Sequence, residues 1–317
     1  MVDVREVVEG VLAGERRAVA RAISMVEDGS EDLPGLIAGL YPKTGRAYTV
    51  GLTGSPGVGK SSLAAELVKA ARAHDRTVSV LAIDPTSPFT GGALLGDRLR
   101  MQSSATDPGV FIRSMATRGH LGGLALAAPE AVRVLDAAGA DLVLVETVGV
   151  GQAEVEVATA ADTTLVVVAP GWGDAVQASK AGILEIADVF VVNKADRDGA
   201  AETVRDLEAM LHLGPAMDWT PPVVRTSAQE GEGIEDLWEA IEGHRKHLEA
   251  TGELDRRRRA RILREVEEMA SVRLRDRVAA RLEEGDLQAL ADDLVARNMD
   301  PYQAADMLVE TVTREER

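Results

Sequence analysis

The sequence predicts an α/β fold in which a mostly parallel, twisted β-sheet is flanked by helices. Between residues 46 and 228, short runs rich in β-branched residues alternate with amphipathic stretches. Runs such as 142–145 and 165–169 are apolar at every position, as in strands buried on both faces of a parallel sheet. We therefore expect seven strands, at 47–53, 78–83, 110–113, 141–146, 163–169, 188–192 and 222–226.

Helical segments are predicted on both sides of this region. In residues 1–44, apolar side chains recur at helical spacing, and two further amphipathic or charged helices are expected at 233–248 and 256–283. Asp300 is expected to cap a last helix that begins at Pro301. The predicted organisation is a helical N-terminal extension (1–44), a central α/β domain (45–250) and a helical C-terminal arm (251–317).

The composition and net charge of the chain disfavour several kinds of partner and binding site. The chain has 317 residues, a formal net charge of -17 at pH 7 and no cysteine. The negative field disfavours nucleic acid and anionic membrane as partners, and the lack of cysteine excludes disulfides and thiolate metal sites. Because acidic residues surround the run Arg256–Arg259, we expect it to form a solvated helix face. The N-terminus lacks the apolar core of a signal peptide and no apolar run approaches the roughly 18 residues of a membrane span, so we expect a cytoplasmic protein.

A phosphate-binding loop follows the first predicted strand. The segment fits the pattern G-x-x-x-x-G-K-[ST] in full and precedes a helix expected at 61–74. Its glycines let backbone N–H groups turn toward a phosphate, and the helix start adds its positive dipole end. Lys60 is expected to reach the β- and γ-phosphates, and the Ser61 hydroxyl to bind Mg²⁺. These features indicate a P-loop NTPase whose nucleotide contacts include Gly54, Ser55, Pro56, Gly57, Val58, Gly59, Lys60, Ser61 and Ser62.

A base-recognition loop is expected at Asn193–Asp196, directly after a later strand. The Asp196 carboxylate can accept hydrogen bonds from N1 and the 2-amino group of guanine, a donor pair that adenine lacks. Asn193 would brace the neighbouring loops, and the stem of Lys194 would pack on the base. The order of these loops predicts GTP or GDP as the nucleotide, with an adenine-type site as the alternative. A second guanine loop is expected at Ser227, Ala228 and Gln229.

Carboxylates that follow strands predict a Mg²⁺ environment. Glu146 ends one predicted strand and Asp84 follows another, while Asp97 lies in the long loop after Asp84. Because Mg²⁺ usually keeps several waters, these carboxylates can act on the metal directly or through water. Gly149 can place its N–H beside the γ-phosphate, and loss of that phosphate would release the loop.

A wider pattern is carried by seven segments: Val80–Ser87, Thr90–Gly92, Leu95–Met101, Val145–Gln152, Gly182–Asp188, Asn193–Asp196 and Trp219–Val223. Together they resemble the methylmalonyl-CoA mutase-associated GTPases, the MeaB/ArgK family of the SIMIBI class. The resemblance covers roughly residues 5–255 and is most specific between 47 and 228.

The resemblance implies a GTP-hydrolysing chaperone of an adenosylcobalamin-dependent acyl-CoA mutase of the methylmalonyl-CoA mutase type. Such a protein gates cofactor loading and protects or reactivates the mutase, and it is a homodimer with a C-terminal dimerisation arm. The resemblance assigns the Mg²⁺ environment to Ser61, Asp84, Asp97 and Glu146, and hydrolysis to Lys60, Asp97, Glu146 and Lys180. Nucleotide state would be coupled to the partner through Gly149, Asp174, Gln177 and Lys180.

Two other functions compete with this hypothesis. An ATPase or kinase linked to the transport of basic amino acids (lysine, arginine or ornithine) would select adenine, against the guanine loops. A metal-insertion GTPase would need a histidine- or cysteine-rich delivery site, whereas the five histidines here are scattered.

Overall fold

The computed structural model describes residues 3–84, 106–116, 123–147, 160–171, 185–213, 218–281 and 284–313. Its centre is a seven-stranded sheet in the order β3-β2-β4-β1-β5-β6-β7, in which every neighbouring pair is parallel. The strands are β1 (Tyr48–Thr53), β2 (Val78–Asp84), β3 (Val110–Ala116), β4 (Leu142–Thr147), β5 (Thr163–Val168), β6 (Val189–Val192) and β7 (Val223–Arg225).

Ten α-helices surround the sheet or follow it in the described ranges. They are α1 (Val4–Leu12), α2 (Arg16–Glu27), α3 (Leu33–Leu40), α4 (Lys60–Ala73), α5 (Gly123–Ala137), α6 (Ala200–Leu213), α7 (Ile234–Thr251), α8 (Glu253–Arg281), α9 (Glu284–Val295) and α10 (Pro301–Thr313). The predicted α/β class is therefore confirmed, and each of the seven strands lies where the sequence predicted it. The largest difference is at β3, which runs on to Ala116 because it pairs with β2 along its whole length.

Both faces of the sheet are buried, as a parallel sheet requires. On one face, α4 and α7 pack over alternate residues of the central strands, such as Leu52 and Leu144. On the other face, α1–α3 share a core with α5 and with Val143 and Val145 of β4. The N-terminal helices thus complete the cover of the sheet.

Three aspartates close the amino edge of the sheet. Each follows an alanine and directly precedes β4, β5 or β6, and each carboxylate accepts a hydrogen bond from a backbone N–H near the start of a neighbouring strand. The pairs are Asp141 with Thr77 (2.8 Å), Asp162 with Thr49 (3.0 Å) and Asp188 with Thr164 (2.8 Å). One short sequence pattern therefore satisfies backbone donors at or just before the starts of three strands.

Three arginines of α8, which we call the arginine clamp, pair with two of these aspartates. Arg258 contacts both oxygens of Asp162, at 2.6 Å and 3.1 Å, and Arg261 adds a contact of 3.0 Å. Arg257 pairs with Asp188 at 2.9 Å. Burial alone would raise the pKa of Asp162, but the Arg258 hydrogen bond and the two guanidinium charges hold it below its usual range.

The arginine clamp corrects one expectation. The run Arg256–Arg259 was expected to be a solvated face, and the side chain of Arg256 is indeed 71% exposed. For Arg257 and Arg258 the expectation is wrong, because their partners are aspartates at the closed edge of the sheet, and Asp162 is only 1% exposed.

A buried histidine extends this network. His244 is fully buried, and its Nδ1 lies 2.8 Å from the Thr163 hydroxyl, which in turn lies 2.6 Å from the Tyr48 hydroxyl. Its Nε2 is 3.2 Å from Asp188, outside hydrogen-bond alignment. Burial lowers the pKa of His244 to about 4 despite the opposing effect of Asp188, so the ring is neutral at pH 7.

The chain divides into two compact units, Met1–Arg261 and Ile262–Arg317. In the second unit, Asp300 accepts hydrogen bonds from the N–H groups of Tyr302 (2.8 Å) and Gln303 (3.1 Å), which is the predicted cap of α10. No helix within the described ranges has both the length and the apolar content needed to span a bilayer.

Candidate nucleotide-binding site

The phosphate loop joins β1 to α4 and depends on two glycines. At Gly54 (φ +135°) a Cβ would overlap the carbonyl oxygen of Val167. Gly59 (φ +99°) is the left-handed N-cap of α4, and this helix start has no side-chain cap. Its first N–H groups are therefore not taken by a capping side chain, and together with the positive end of the helix dipole they suit an anion.

The side chain of Lys60 is held within this loop. Lys60 is 7% exposed, and its Nζ donates to the carbonyl of Gly54 and, at 3.3 Å, to that of Ser55. Ser61 and Ser62 follow in the first turn and are half-buried. The ammonium group and the hydroxyls thus lie next to the open helix start, where phosphate oxygens and a cation can be bound.

The base-recognition loop is in direct contact with the phosphate loop. Asn193, which is 2% exposed, donates from its side-chain amide to the carbonyl of Val58 at 2.8 Å. A Cβ at Gly59 would lie 2.5 Å from that amide, so the glycine makes the approach possible. Lys194 has φ +59°, an uncommon conformation for a lysine, and its Nζ donates to the carbonyl of Gly57.

The second guanine loop is tied to the first. The Asn193 side-chain oxygen accepts hydrogen bonds from the N–H of Ala228 (3.1 Å) and from the hydroxyl of Thr226 (3.2 Å). The Ser227 hydroxyl donates to Asp196 at 2.8 Å, so a buried side chain holds an exposed carboxylate. Gln229 follows and is exposed. The structure thus brings together the phosphate loop and both loops that the sequence predicted to contact the base.

The carboxyl edge of the sheet places a carboxylate one strand away from the phosphate loop. Glu146 is 1% exposed, and its β4 position is paired with Leu52 of β1, two residues before Gly54. Asp84 is the last residue of β2, which borders β4 on its other side. The Ser61 hydroxyl and the Glu146 carboxylate are oxygen donors of the kind that Mg²⁺ prefers, so the residues present fit this metal.

Five predicted residues lie outside the described ranges: Asp97, Gly149, Asp174, Gln177 and Lys180. Their assignments to the metal, the γ-phosphate and the partner remain predictions.

Comparison with known proteins decides the family. A family model described as "Methylmalonyl Co-A mutase-associated GTPase MeaB" matches residues 19–283. The chain belongs to the MeaB family. The family resemblance inferred from the sequence is therefore confirmed.

Three individual proteins resemble this MeaB-family chain along most of its length. A protein of Pyrococcus abyssi described as a GTPase is 50% identical over 98% of this chain and 97% of its own. The mitochondrial methylmalonic aciduria type A homolog of Caenorhabditis elegans is 36% identical over 81% of this chain and 69% of its own. The crystal structure of a LAO/AO transport system kinase has a TM-score of 0.74 and 26% identity, covering 98% of this chain and 99% of that one.

One contact in this MeaB-family site was missed from the sequence. Thr226 is 1% exposed and donates to Asn193, a contact between the two loops that was not predicted. The available signal was its place directly after the last strand, where a hydroxyl can bond to the loop of the adjacent strand.

Proposed function

We propose that this chain binds Mg²⁺·GTP between the phosphate loop and the base-recognition loop and hydrolyses it to GDP and phosphate. The observation that carries the proposal is the contact between the two loops, made by the Asn193 amide and the Val58 carbonyl. It fixes the spacing between the phosphate-binding amides and Asp196. Ser227 holds the Asp196 carboxylate, which retains acceptor sites for the N1 and 2-amino donors of guanine.

The residues of the site would act mainly by positioning and by charge. The amides at the start of α4 would bind the β-phosphate, and Lys60 would exchange its carbonyl partners for β- and γ-phosphate oxygens. Ser61 and Glu146 would hold Mg²⁺, with Asp84 and Asp97 in direct or water-mediated roles. When bound, the metal neutralises charge on the phosphates. Lys180 is proposed as a further residue that acts in hydrolysis.

We propose that the protein partner is an adenosylcobalamin-dependent acyl-CoA mutase, whose cofactor loading is gated and whose activity is protected or restored. The family description names methylmalonyl-CoA mutase, and the name of the C. elegans relative refers to methylmalonic aciduria. Nucleotide-dependent contacts would be made by Gly149, Asp174, Gln177 and Lys180, so that GTP and GDP favour different loop arrangements.

We also propose that the chain is a homodimer formed through its C-terminal arm. Of the twelve large hydrophobic side chains that are exposed in the described ranges, nine lie between Ile262 and Val309. This concentration of exposed apolar side chains in the arm supports the proposal, because protein–protein interfaces are a common reason for exposed apolar surface.

Light scattering tests the dimer. Val295 and Tyr302 are 84% and 86% exposed, so the double variant V295S/Y302S should shift the mass toward the monomer. Leu213 in α6 is 88% exposed but lies outside the arm, and L213S should leave the mass unchanged. A dimer that is equally stable in V295S/Y302S would contradict a contact through these residues.

The competing function is an ATPase or kinase linked to basic amino-acid transport. The description of the structural relative as a LAO/AO transport system kinase is what favours it. It requires adenine binding and a phosphorylated acceptor, whereas Asp196 provides the acceptor pair for guanine. Transfer of the γ-phosphate of ATP to a protein would establish the alternative.

Phosphate release and co-purification test the proposal together. The purified chain should release phosphate from GTP faster than from ATP when Mg²⁺ is present, and EDTA should abolish the release. A non-hydrolysable GTP analogue should retain a B12-dependent mutase from an extract on the immobilised chain. Recovery of a permease complex, with ATP as the preferred substrate, would overturn both assignments.

A further inference from the structure

Two threonines lie side by side near the carboxyl ends of neighbouring strands. We call the row of residues in register with them across the sheet a level. Because Leu52 pairs with Glu146, Thr53 at the end of β1 is level with Thr147 at the end of β4. Alternate side chains share a face, so both point to the face opposite α4 and α7. The other members of this level, in register on β2, β5 and β6, are Ile83, Val166 and Phe190.

Within the part of the chain that the structure describes, the two hydroxyls lack hydrogen-bond partners, and the other residues of their row are apolar. Thr53 and Thr147 are 2% and 1% exposed, and neither Oγ1 has a hydrogen-bond partner among the described residues. A buried hydroxyl without a partner destabilises a protein, whereas a valine of the same shape does not. The valine at position 166 demonstrates that a β-branched apolar side chain fits this level. Packing alone therefore does not account for the two hydroxyl groups.

Both threonines are next in sequence to residues of the proposed phosphate and metal site. Thr53 directly precedes Gly54, whose carbonyl accepts the hydrogen bond from Lys60. Thr147 directly follows the buried Glu146. Adjacent strands lie about 4.8 Å apart, a span that one water can bridge by hydrogen-bonding to both hydroxyls. A buried water typically makes about three hydrogen bonds, so such a water needs one more partner.

We propose that Thr53 and Thr147 are positioning residues that share one ordered water, whose third partner is the terminal phosphate of the bound nucleotide. This inference rests on the proposed GTP site. When GTP is bound, the shared water and the two hydroxyls link β1, which leads into the phosphate loop, to β4, which contains Glu146. GDP has no γ-phosphate and cannot complete the same set of hydrogen bonds, so the threonine pair contributes to the preference for GTP over GDP.

Isosteric valine variants test the pair, because they remove the hydroxyl and keep the shape. In T53V and T147V, the melting temperature without nucleotide should equal or exceed that of the wild type. Affinity for Mg²⁺·GTP should fall about tenfold, the effect of one to two lost hydrogen bonds, while affinity for GDP should change little. Calorimetric titration with both nucleotides gives the ratio of the affinity for GTP to the affinity for GDP, which we call the GTP:GDP ratio. A purely structural role of the threonines would not alter this ratio.

Thr163 is the matched control. Thr163 is fully buried, but its hydroxyl contacts Tyr48 and His244 at the opposite edge of the sheet. T163V should lower the melting temperature and leave the GTP:GDP ratio unchanged. An unaltered ratio in both T53V and T147V would overturn the inference, as would a loss of stability without nucleotide. A wild-type chain that binds neither nucleotide would refute the GTP site itself, which is a separate result.

Discussion

At the amino edge of the sheet, carboxylates are buried and paired, whereas at the carboxyl edge polar groups surround a loop of glycines. Asp162 and Asp188 accept backbone N–H groups and the arginine clamp. Across the sheet, α4 starts without a side-chain cap, and Thr53 and Thr147 have no partner among the described residues. At the amino edge the polar groups join neighbouring strands and α8, whereas at the carboxyl edge we propose that they bind a nucleotide. Substitutions at the amino edge should therefore change stability, and those at the carboxyl edge should change binding.

The largest effect is expected at the amino edge, from Asp162→Ala. This variant leaves Arg258 and Arg261 without their buried carboxylate partner and removes the acceptor for the Thr49 N–H. Loss of one member of a buried ion pair typically costs about 3–5 kcal/mol. Urea unfolding measures the change in the free energy of unfolding. Asp206→Ala, at an exposed site on α6, is the control and should change it by less than about 0.5 kcal/mol.

Removal of His244 should flatten the dependence of stability on pH. The pKa of His244 is about 4 in the folded chain, against 6.5 as its ordinary value, because burial of the ring, with the nearby Arg257 and His247, lowers it against the opposing effect of Asp188 and Asp162. The unfolded chain binds the proton first, so the stabilisation is complete above pH 6.5 and is lost as the pH falls toward 4. Linkage gives a loss of about 3 kcal/mol across this window.

Urea unfolding of the wild type and His244→Gln between pH 7 and 4.5 checks this expectation. The difference in stability between the two proteins should shrink as the pH falls. His212→Gln, at an exposed position, should follow the wild type. A constant difference between the wild type and His244→Gln would mean that His244 does not titrate in this range.

At the carboxyl edge, Lys60→Ala should weaken binding of Mg²⁺·GTP about 100-fold and leave the fold intact. The lost contacts are charge-assisted hydrogen bonds to phosphate, and in the structure the Lys60 ammonium donates to the carbonyls of Gly54 and Ser55. Fluorescent-nucleotide titration gives the affinity. Lys69→Ala lies in the same helix with its side chain 56% exposed, and it should bind like the wild type. Tight GTP binding by Lys60→Ala would show that the phosphate loop does not bind the nucleotide as proposed.

A smaller effect on affinity, but a change of specificity, is expected from Asp196→Asn. An amide in place of the carboxylate offers a donor to the ring position where xanthine carries a carbonyl, so preference should move from GTP toward XTP by about 10–100-fold. Competition between the two nucleotides measures the shift. Asp198→Asn, two residues along and exposed, should keep the preference for GTP. Unchanged selectivity in Asp196→Asn would mean that another residue reads the base.

The sequence predicted the carboxyl edge better than the amino edge, for a physical reason. The loops that we propose to bind phosphate and base are short contiguous segments, Gly54–Ser62 and Asn193–Asp196, whose glycines and polar residues are visible locally. The seven strands were found because parallel strands buried on both faces are continuous apolar runs. Strand ends were less certain, as at β3, because pairing with a neighbour decides where a strand stops.

The amino edge depends on pairs that are distant in sequence. Asp162 and Arg258 are 96 residues apart, so the arginine run was interpreted from its charged neighbours alone. One signal was present in the sequence: an alanine–aspartate pair precedes β4, β5 and β6, ending at Asp141, Asp162 and Asp188. Apolar spacing is also incomplete evidence in α1, where Val8 and Leu12 recur at helical spacing but Leu12 is 40% exposed, while Val11 is fully buried. Only the packing of α1 against its neighbours sets which side of it is covered.

Calorimetric titration of the wild-type chain with Mg²⁺·GTP, and separately with Mg²⁺·ATP, tests the central claim most directly. If the carboxyl edge holds a guanine nucleotide between the phosphate loop and Asp196, GTP should bind with one site per chain and ATP at least about 100-fold more weakly, because adenine leaves the Asp196 carboxylate without its donor pair. No heat with GTP, or tighter binding of ATP, would contradict the account.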